Sequence, residues 1–339
     1  MPTENRHGLS LSGVNCKQGN VKPIRFISEE RVGRVLNFPK SIELARQAYV
    51  RRANGEALEP PRSWFTVKGG RSFYFMPAHV NSLETVSVKV VSVNPRNGYL
   101  SLPSTSATVH VFNSKTGREV AAIAGNNLTA IRTAASSALA TKVLALKDAE
   151  TLGVIGTGKQ ALAHVPAILE VRDVSRVLAY SRSKAHRTKF VREASSNCDV
   201  PVTAARSVEQ VARESDILVL ATTSESPLFQ GALVRLGAHV NAIGAALPGT
   251  REMDTTLVKR SVLVVDSFDQ ALTSYGDVMI PLKQKSIRRS HIRAELGELL
   301  LHPSILERRE TDVTVFKAGG LAVLDAVFAD YVVSSLHNS

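Results

Sequence analysis

The spacing of apolar residues divides the chain into zones. Between Ser63 and Val111 they fall at alternate positions in short runs: Trp64-Phe65-Thr66-Val67, Ser72-Phe73-Tyr74-Phe75-Met76, Val86-Ser87-Val88-Lys89-Val90-Val91 and Thr108-Val109-His110-Val111-Phe112. Turn residues separate the runs, at Gly69-Gly70 and at Asn113-Ser114-Lys115-Thr116-Gly117. Close spacing and alternation predict an antiparallel sheet. Ahead of it, Ile24 to Phe26 reads as a first strand. Ser28 reads as the cap of a helix beginning at Glu29. Ser41 to Ala53 reads as an amphipathic helix with Ile42, Leu44, Ala45, Ala48 and Tyr49 on its apolar face. Asn54-Gly55 ends that helix, and Pro60-Pro61 interrupts regular structure beyond it.

After an alanine-rich helix, Leu128 to Leu146, the period changes. Short apolar strands now alternate with helical stretches. The strands are expected at 151–156, Arg176 to Tyr180, Val202 to Ala204, Ile217 to Ala221, Val240 to Ile243 and Val262 to Val265. The helices are expected up to about residue 171, over Lys184 to Ser195, and after Ser207, with Gln210 completing a capping box. Such alternation predicts an α/β fold with a doubly wound parallel sheet. The closing stretch, Val313-Thr-Val-Phe316, Gly319-Gly320 and an apolar helix to Val333, stands outside the alternation and is expected to return to the first domain. The resulting plan is a leader at 1–22, a smaller α+β domain from 23–132 and 313–339, and a nucleotide-type domain over 133–312.

Composition narrows the class. With 339 residues, 44% hydrophobic and 21% charged, the chain can build about two ordinary globular cores. No apolar run approaches the roughly 18 residues that span a bilayer, so no membrane partner is expected. Met1 to Lys22 is polar and reads as a disordered leader. Cys16 and Cys198 are isolated, which predicts a disulfide-free cytoplasmic protein without a metal site. The formal charge is +12, but aromatics are only 5% and the cations are scattered. The densest group, Lys283, Lys285, Arg288, Arg289 and Arg293, reads as a solvated loop. Nucleic acid is therefore not the expected partner. The excess charge instead favours anionic substrates and a phosphorylated cofactor.

The candidate chemistry begins at Gly153-Val-Ile-Gly156-Thr157-Gly158-Lys-Gln160-Ala161. A buried strand feeds Gly156 and Gly158, which permit a sharp turn and close approach to a pyrophosphate. Ala161 lets the following helix pack closely. This is a dinucleotide fingerprint of the Rossmann type, Gly-x-Gly-x-x-Ala, with Thr157 and Gln160 inside it. A glycine turn that binds nothing is the alternative, and the strand-turn-helix setting argues against it. The next strand ends at Ser181-Arg182-Ser183-Lys184, with Arg187 a turn later, where NAD-specific sheets carry an acid. Cations there suit a 2′-phosphate, so NADP(H) is preferred, with NAD(H) the other choice. Thr222, Thr223, Ile243 and Gly244 close later strands at the same edge and are candidate cofactor contacts. His239 opens its strand and reads as structural. Arg62, Lys89 and Arg132 are cations in rigid or apolar surroundings and need an anion. Spacing alone leaves open whether that anion is an internal carboxylate or a substrate.

Taken with Phe75-Met-Pro77, Val88-Lys-Val90, Leu128-Thr-Ala-Ile-Arg-Thr-Ala-Ala-Ser-Ser-Ala138, His239-Val-Asn-Ala-Ile-Gly244, Pro248-Gly with Glu252, Ala294-Glu-Leu-Gly-Glu298 and Thr314-Val-Phe-Lys-Ala-Gly-Gly-Leu-Ala322 with Asp325, the chain resembles the ornithine cyclodeaminase/mu-crystallin family. The resemblance implies a substrate and dimerisation domain built from both chain ends, and a homodimer joined through the antiparallel sheets. It implies that Arg62, Lys89 and Arg132 grip a substrate α-carboxylate, and that Ser104 lies near the substrate. One departure is Ala246, which stands where ornithine cyclodeaminases carry a catalytic aspartate. The mu-crystallin branch also lacks it, and its members look like ketimine reductases. The expected activity is therefore an NAD(P)H-dependent oxidoreductase acting on the C–N bond of a small amino or imino acid. A Δ1-pyrroline- or Δ1-piperideine-2-carboxylate reductase fits best, and a dehydrogenase of secondary-amine amino acids is close to it. Lys89 is the candidate proton donor or acceptor, since desolvation lowers a lysine pKa. The alternatives are an ornithine or lysine cyclodeaminase that recycles NAD, and a non-catalytic crystallin-like NADP-binding protein.

Overall fold

The computed structural model describes residues 23–94, 96–97 and 102–336, so the expected leader lies outside the described residues. Two sheets organise the chain. The first comprises β1 (Arg25–Ile27), β2 (Ala57–Leu58), β3 (Ser63–Val67), β4 (Arg71–Val80), β5 (Thr85–Val93), β6 (Thr105–Asn113) and β7 (Glu119–Ala124). Its order is β1-β7-β6-β5-β4, with β2 and β3 both paired to β4. All pairs are antiparallel except β1 with β7. β7 is absent from the sequence expectation, because consecutive alanines blur its alternation.

Helices α1 (Glu29–Val35) and α2 (Phe38–Ala53) run between β1 and β2, and α3 (Gly125–Leu144) connects this sheet to the second one. Ser28 caps α1 by accepting from Arg31 N. α3 is rich in alanine and serine because it is wedged between α2 and α4 (Lys159–Leu169), where larger side chains would not fit. The expected boundary at 132/133 falls inside this continuous helix.

The second sheet is built from β8 (Thr151–Ile155), β9 (Arg176–Tyr180), β10 (Val202–Ala204), β11 (Ile217–Leu220), β12 (His239–Ala242), β13 (Ser261–Val265), β14 (Ile292–Glu295) and β15 (Val313–Lys317). The order is β10-β9-β8-β11-β12-β15-β13-β14, and every pair is parallel. The crossovers are α4, α5 (Lys184–Ser195), α6 (Val208–Glu214), α7 (Thr255–Arg260), α8 (Phe268–Thr273), α9 (Gly276–Lys283) and α10 (Leu296–Leu301). The fold is thus the expected α/β one, with a Rossmann-like parallel sheet. Strand order reverses between β8 and β11, which makes that crevice the place for a ligand.

The tail departs from expectation. β15 does not return to the first domain but lies inside the parallel sheet, between β12 and β13. All five of its residues are buried. A strand covered on both faces reads as a continuous apolar run, and that is the signature of a parallel sheet. Only α11 (Ala322–Ser335) crosses back, to pack on α2, β4 and β5. The Gly319-Gly320 link between β15 and α11 is therefore where the two sheets meet.

Candidate active site

β8 delivers the chain to Gly156, whose φ is +105°. A Cβ there would lie 2.2 Å from the carbonyl oxygen of Ala221, just beyond β11, so only glycine fits. Thr157 follows, half-buried, and Gly158 caps α4. A Cβ on Gly158 would meet no atom within 4 Å. The open side of Gly158 and the first N–H groups of α4 form the cradle a pyrophosphate requires. Gln160, in the first turn, keeps a buried Oε1 without a partner among the described residues. Ala161 is fully buried and shares a core with Leu152 and Val154.

At the end of β9, Ser183 caps α5 by accepting from His186 N. Arg187 lies over the Tyr180 ring, 5.2 Å from its centre, and donates to the Ser181 carbonyl. Arg182 and Lys184 are exposed and form no ion pair among the described residues. The structure thus brings Ser181, Arg182, Lys184 and Arg187 to one strand end beside the glycine turn. These residues fit a dinucleotide.

The ends of β11 and β12 are tied by a residue that sequence reasoning passed over. Glu252 is fully buried. Its Oε1 accepts from Thr222 N at 2.7 Å and Thr222 Oγ1 at 2.8 Å, and its Oε2 accepts from Gly244 N at 2.8 Å. The Thr222 hydroxyl therefore faces this carboxylate, while Thr223 is exposed. Asp277 Oδ1 in turn accepts from the backbone N–H groups of Glu252 and Met253, both at 2.8 Å. Lys317, at the end of β15, lies 3.0 Å from Asp277 Oδ2 and donates to the Ala245 carbonyl at 2.5 Å. Burial pushes the Glu252 carboxyl up, and the Lys317 charge opposes the shift. Ile243 and Gly244 are half-buried at this edge, and a Cβ on Gly244 would strike Thr222.

Opposite that edge lies a cationic cluster. Alternation along β5 turns Ser87 and Lys89 inward, towards α11. Lys89 Nζ is 2.5 Å from Asp325 Oδ2, and Arg132 Nε is 3.2 Å from Asp325 Oδ1. All three are buried. Arg62, fixed after Pro60-Pro61, donates to the Gly320 carbonyl at 3.1 Å and to Gln270 Oε1 at 3.4 Å. Its Nε is buried with no partner among the described residues. Asp325 thus pairs with two cations, and Arg62, with its Nε unpaired among the described residues, is the one left to meet a further anion. Burial and the neighbouring Arg132 lower Lys89 from the usual lysine range to about 8, although Asp325 raises it. A lysine titrating there can transfer a proton at neutral pH.

The Gly319-Gly320 link is held by Asp266, whose Oδ2 accepts from Gly319 N at 3.0 Å and Gly320 N at 2.9 Å. Gly320 has φ +89°, and a Cβ there would lie 2.4 Å from Arg132. This link therefore sets both Arg62 and Arg132. A cavity of about 210 Å³ opens beside Arg62, lined also by Pro61, Met76, Gln270, Thr273 and Ala322.

Ser104, a sequence candidate, lies apart, as does His239, which reads as structural from the sequence. Ser104 is exposed ahead of β6, whereas Lys89 pairs in register with Val109, so the strand rise puts Ser104 about 17 Å along the sheet. His239 sits at the amino edge, 2.9 Å from Thr314 Oγ1, and burial pushes it down to about 3. It is a neutral structural group, in keeping with its position at the strand start. Asp325 carries the same signal as the three cations, a charge inside an apolar helix. Glu252 carries none, because only the folded loop shows what it holds.

The model of the ornithine cyclodeaminase/mu-crystallin family matches residues 24–339. A Δ1-pyrroline-2-carboxylate reductase of Bacillus cereus is 34% identical over 258 residues, covering 76% of this chain and 79% of that protein. The ketimine reductase mu-crystallin of Rattus norvegicus is 33% identical over 297 residues, covering 87% of this chain and 90% of its own. Among solved structures, Thermococcus litoralis Δ1-pyrroline-2-carboxylate reductase, in complex with NADH and L-proline, superposes with a TM-score of 0.90. It is 33% identical, over 93% of this chain and 98% of that one.

Proposed function

The chain belongs to the ornithine cyclodeaminase/mu-crystallin family, and from that premise we propose that it reduces the C=N bond of a small cyclic imino acid of the Δ1-pyrroline- or Δ1-piperideine-2-carboxylate type. It is an NAD(P)H-dependent oxidoreductase. The observation that carries the proposal is the buried Lys89–Asp325–Arg132 cluster, with Arg62 beside it and its Nε unpaired.

Bound NAD(P)H supplies a hydride. Arg62 and Arg132 hold the substrate carboxylate and so fix the ring against the carboxyl edge of the parallel sheet. Lys89, charged below about pH 8, contacts the same carboxylate and donates a proton towards the imine nitrogen. The nitrogen gains that proton, the α-carbon gains the hydride with its electron pair, and the C=N bond becomes single. Asp325 keeps the two cations side by side and favours the charged form of Lys89, which takes its proton back from solvent once the product leaves. The cluster's burial excludes water, which strengthens each of these contacts.

Arg182 and Lys184 support a preference for NADP(H), since both are exposed where a 2′-phosphate would lie. Against the cyclodeaminase reading, Ala246 has no carboxylate. The acids near it are already engaged: Glu252 with Thr222 and Gly244, and Asp254 with Leu257 N and Gly231 N. Two assays separate the readings. Incubation with Δ1-pyrroline-2-carboxylate and NADPH is expected to consume NADPH and form proline. Proline and ammonia made from ornithine without net cofactor consumption would instead establish the lyase, and tight NADPH binding without turnover would establish the non-catalytic binder.

Homodimerisation is supported by the exposed hairpin of β3 and β4. Trp64 and Phe65 are 60% and 51% exposed and stack on Tyr74, Phe73 and Phe75. Strand alternation puts Trp64 and Tyr74 on one face and Phe65, Phe73 and Phe75 on the other, and aromatics exposed in this way suit a second copy of the same hairpin. No described helix is long and apolar enough to cross a membrane. A cytoplasmic location accords with the sparse cysteines, of which Cys198 is free among the described residues.

A further inference from the structure

Beneath the strand ends that receive the cofactor lies a charge imbalance that the reduction chemistry does not use. Glu252, Asp277 and Lys317 are all fully buried. Two carboxylates face one ammonium, leaving a formal surplus of one negative charge. No other charged group ranks among the main influences on Glu252. The surplus is not placed at random. Asp277 accepts from two backbone N–H groups through Oδ1 and ion-pairs with Lys317 through Oδ2, while both oxygens of Glu252 are turned to Thr222 and Gly244, at the ends of β11 and β12. Burial and Asp277 push the Glu252 carboxyl up, and the three donors that converge on it, with Lys317, work the other way, towards its ionised form.

A nicotinamide ring is neutral when reduced and carries a positive charge when oxidised. We propose that Glu252 is a positioning residue with an electrostatic role: its buried negative charge, delivered through the ends of β11 and β12, stabilises oxidised over reduced cofactor and thereby favours hydride release to the imine. Fixed charges in a dry interior act over several ångströms without reorganising. A purely mechanical tie between the two strand ends would hold both redox forms equally. Glu252 touches no reacting atom, so its effect travels through the field and through Thr222 and Gly244. This inference rests on the proposed placement of the nicotinamide at that edge.

The test is a pair of binding equilibria. Dissociation constants for NADP+ and NADPH are measured by quenching of protein fluorescence at neutral pH, for the wild type, Glu252→Gln and Glu252→Asp. Glu252→Gln is expected to weaken NADP+ relative to NADPH by roughly tenfold, the scale of one buried charge acting on another. Glu252→Asp, which keeps the charge but strains the ties, is expected to weaken both forms with little change in their ratio. If Glu252→Gln does not fold, Asp277→Asn removes a charge from the same cluster and is expected to shift the ratio in the same direction. An unchanged ratio in the folded charge-removing variant overturns the electrostatic role, even if both forms bind more weakly. A wild type that binds neither form overturns the cofactor reading itself, and the two failures are thus distinct.

Discussion

Lys89 and Asp325 form one buried ion pair, on which the proposed chemistry centres. With Lys89 titrating near 8, its acid form is complete below that pH and is lost above it. Imine reduction is therefore expected to fall as pH rises through about 8, and amine oxidation to rise through the same range; initial rates in both directions check the sign. Replacing Lys89 by Met is expected to lower kcat/KM for the imine by about 10²–10⁴ while leaving NADPH affinity intact, as measured by fluorescence titration. Asp325→Asn strands two buried cations and is expected to cost roughly 3–5 kcal/mol in denaturant unfolding. It also removes the partner that raises Lys89, so the pH profile of any folded protein should move to lower pH. The cations are legible in the sequence because a charge in an apolar element needs a partner. That the partner is one shared aspartate is not, since Lys89, Arg132 and Asp325 are brought together only by the crossing of β5, α3 and α11.

Among elements, the glycine turn and its strand are readable because the local chemistry is unambiguous: a five-residue buried strand, a turn requiring positive φ, then a helix. Gly156→Ala combines an unfavourable φ with a 2.2 Å overlap on Ala221 O. It is expected to cost roughly 1–3 kcal/mol and to weaken cofactor binding sharply, both measurable by thermal shift with and without NADPH. Arg182→Ala, at the neighbouring strand end, is expected to weaken NADPH about tenfold and leave NADH nearly unchanged; equal effects on both would remove the assignment of the 2′-phosphate to this turn. Sequence order misplaces β15 for a physical reason. Periodicity shows that a strand is buried on both faces but not which strands cover its edges. A strand arriving after β14 yet inserting between β12 and β13 leaves no local trace. The polar ties of Glu252 and Asp266 are hidden likewise, since each reaches across elements that sequence order separates.

The whole molecule places two sets of cations around one crevice. In the proposed reading, the antiparallel domain contributes cations for an anionic substrate, and the parallel sheet contributes a glycine cradle and a basic turn for the cofactor. The split into two sheets is legible from the change in apolar period, whereas the Gly319-Gly320 link that joins them is not. Because α11 leaves the parallel sheet to carry Asp325 to the first one, cofactor and substrate sites share a rigid connection. The exposed aromatics of β3 and β4 predict a dimer in light scattering, and Trp64→Asp with Phe65→Asp is expected to yield folded monomers; a wild type that is monomeric at micromolar concentration contradicts that interface. The central claim is that this chain reduces a cyclic ketimine with Lys89 as the acid. Its most direct test is NADPH oxidation by Δ1-pyrroline-2-carboxylate, measured as kcat/KM across the range in which Lys89 loses its proton. The expected result is robust turnover that declines through about pH 8. Absence of turnover, or a profile flat through that value, would contradict it.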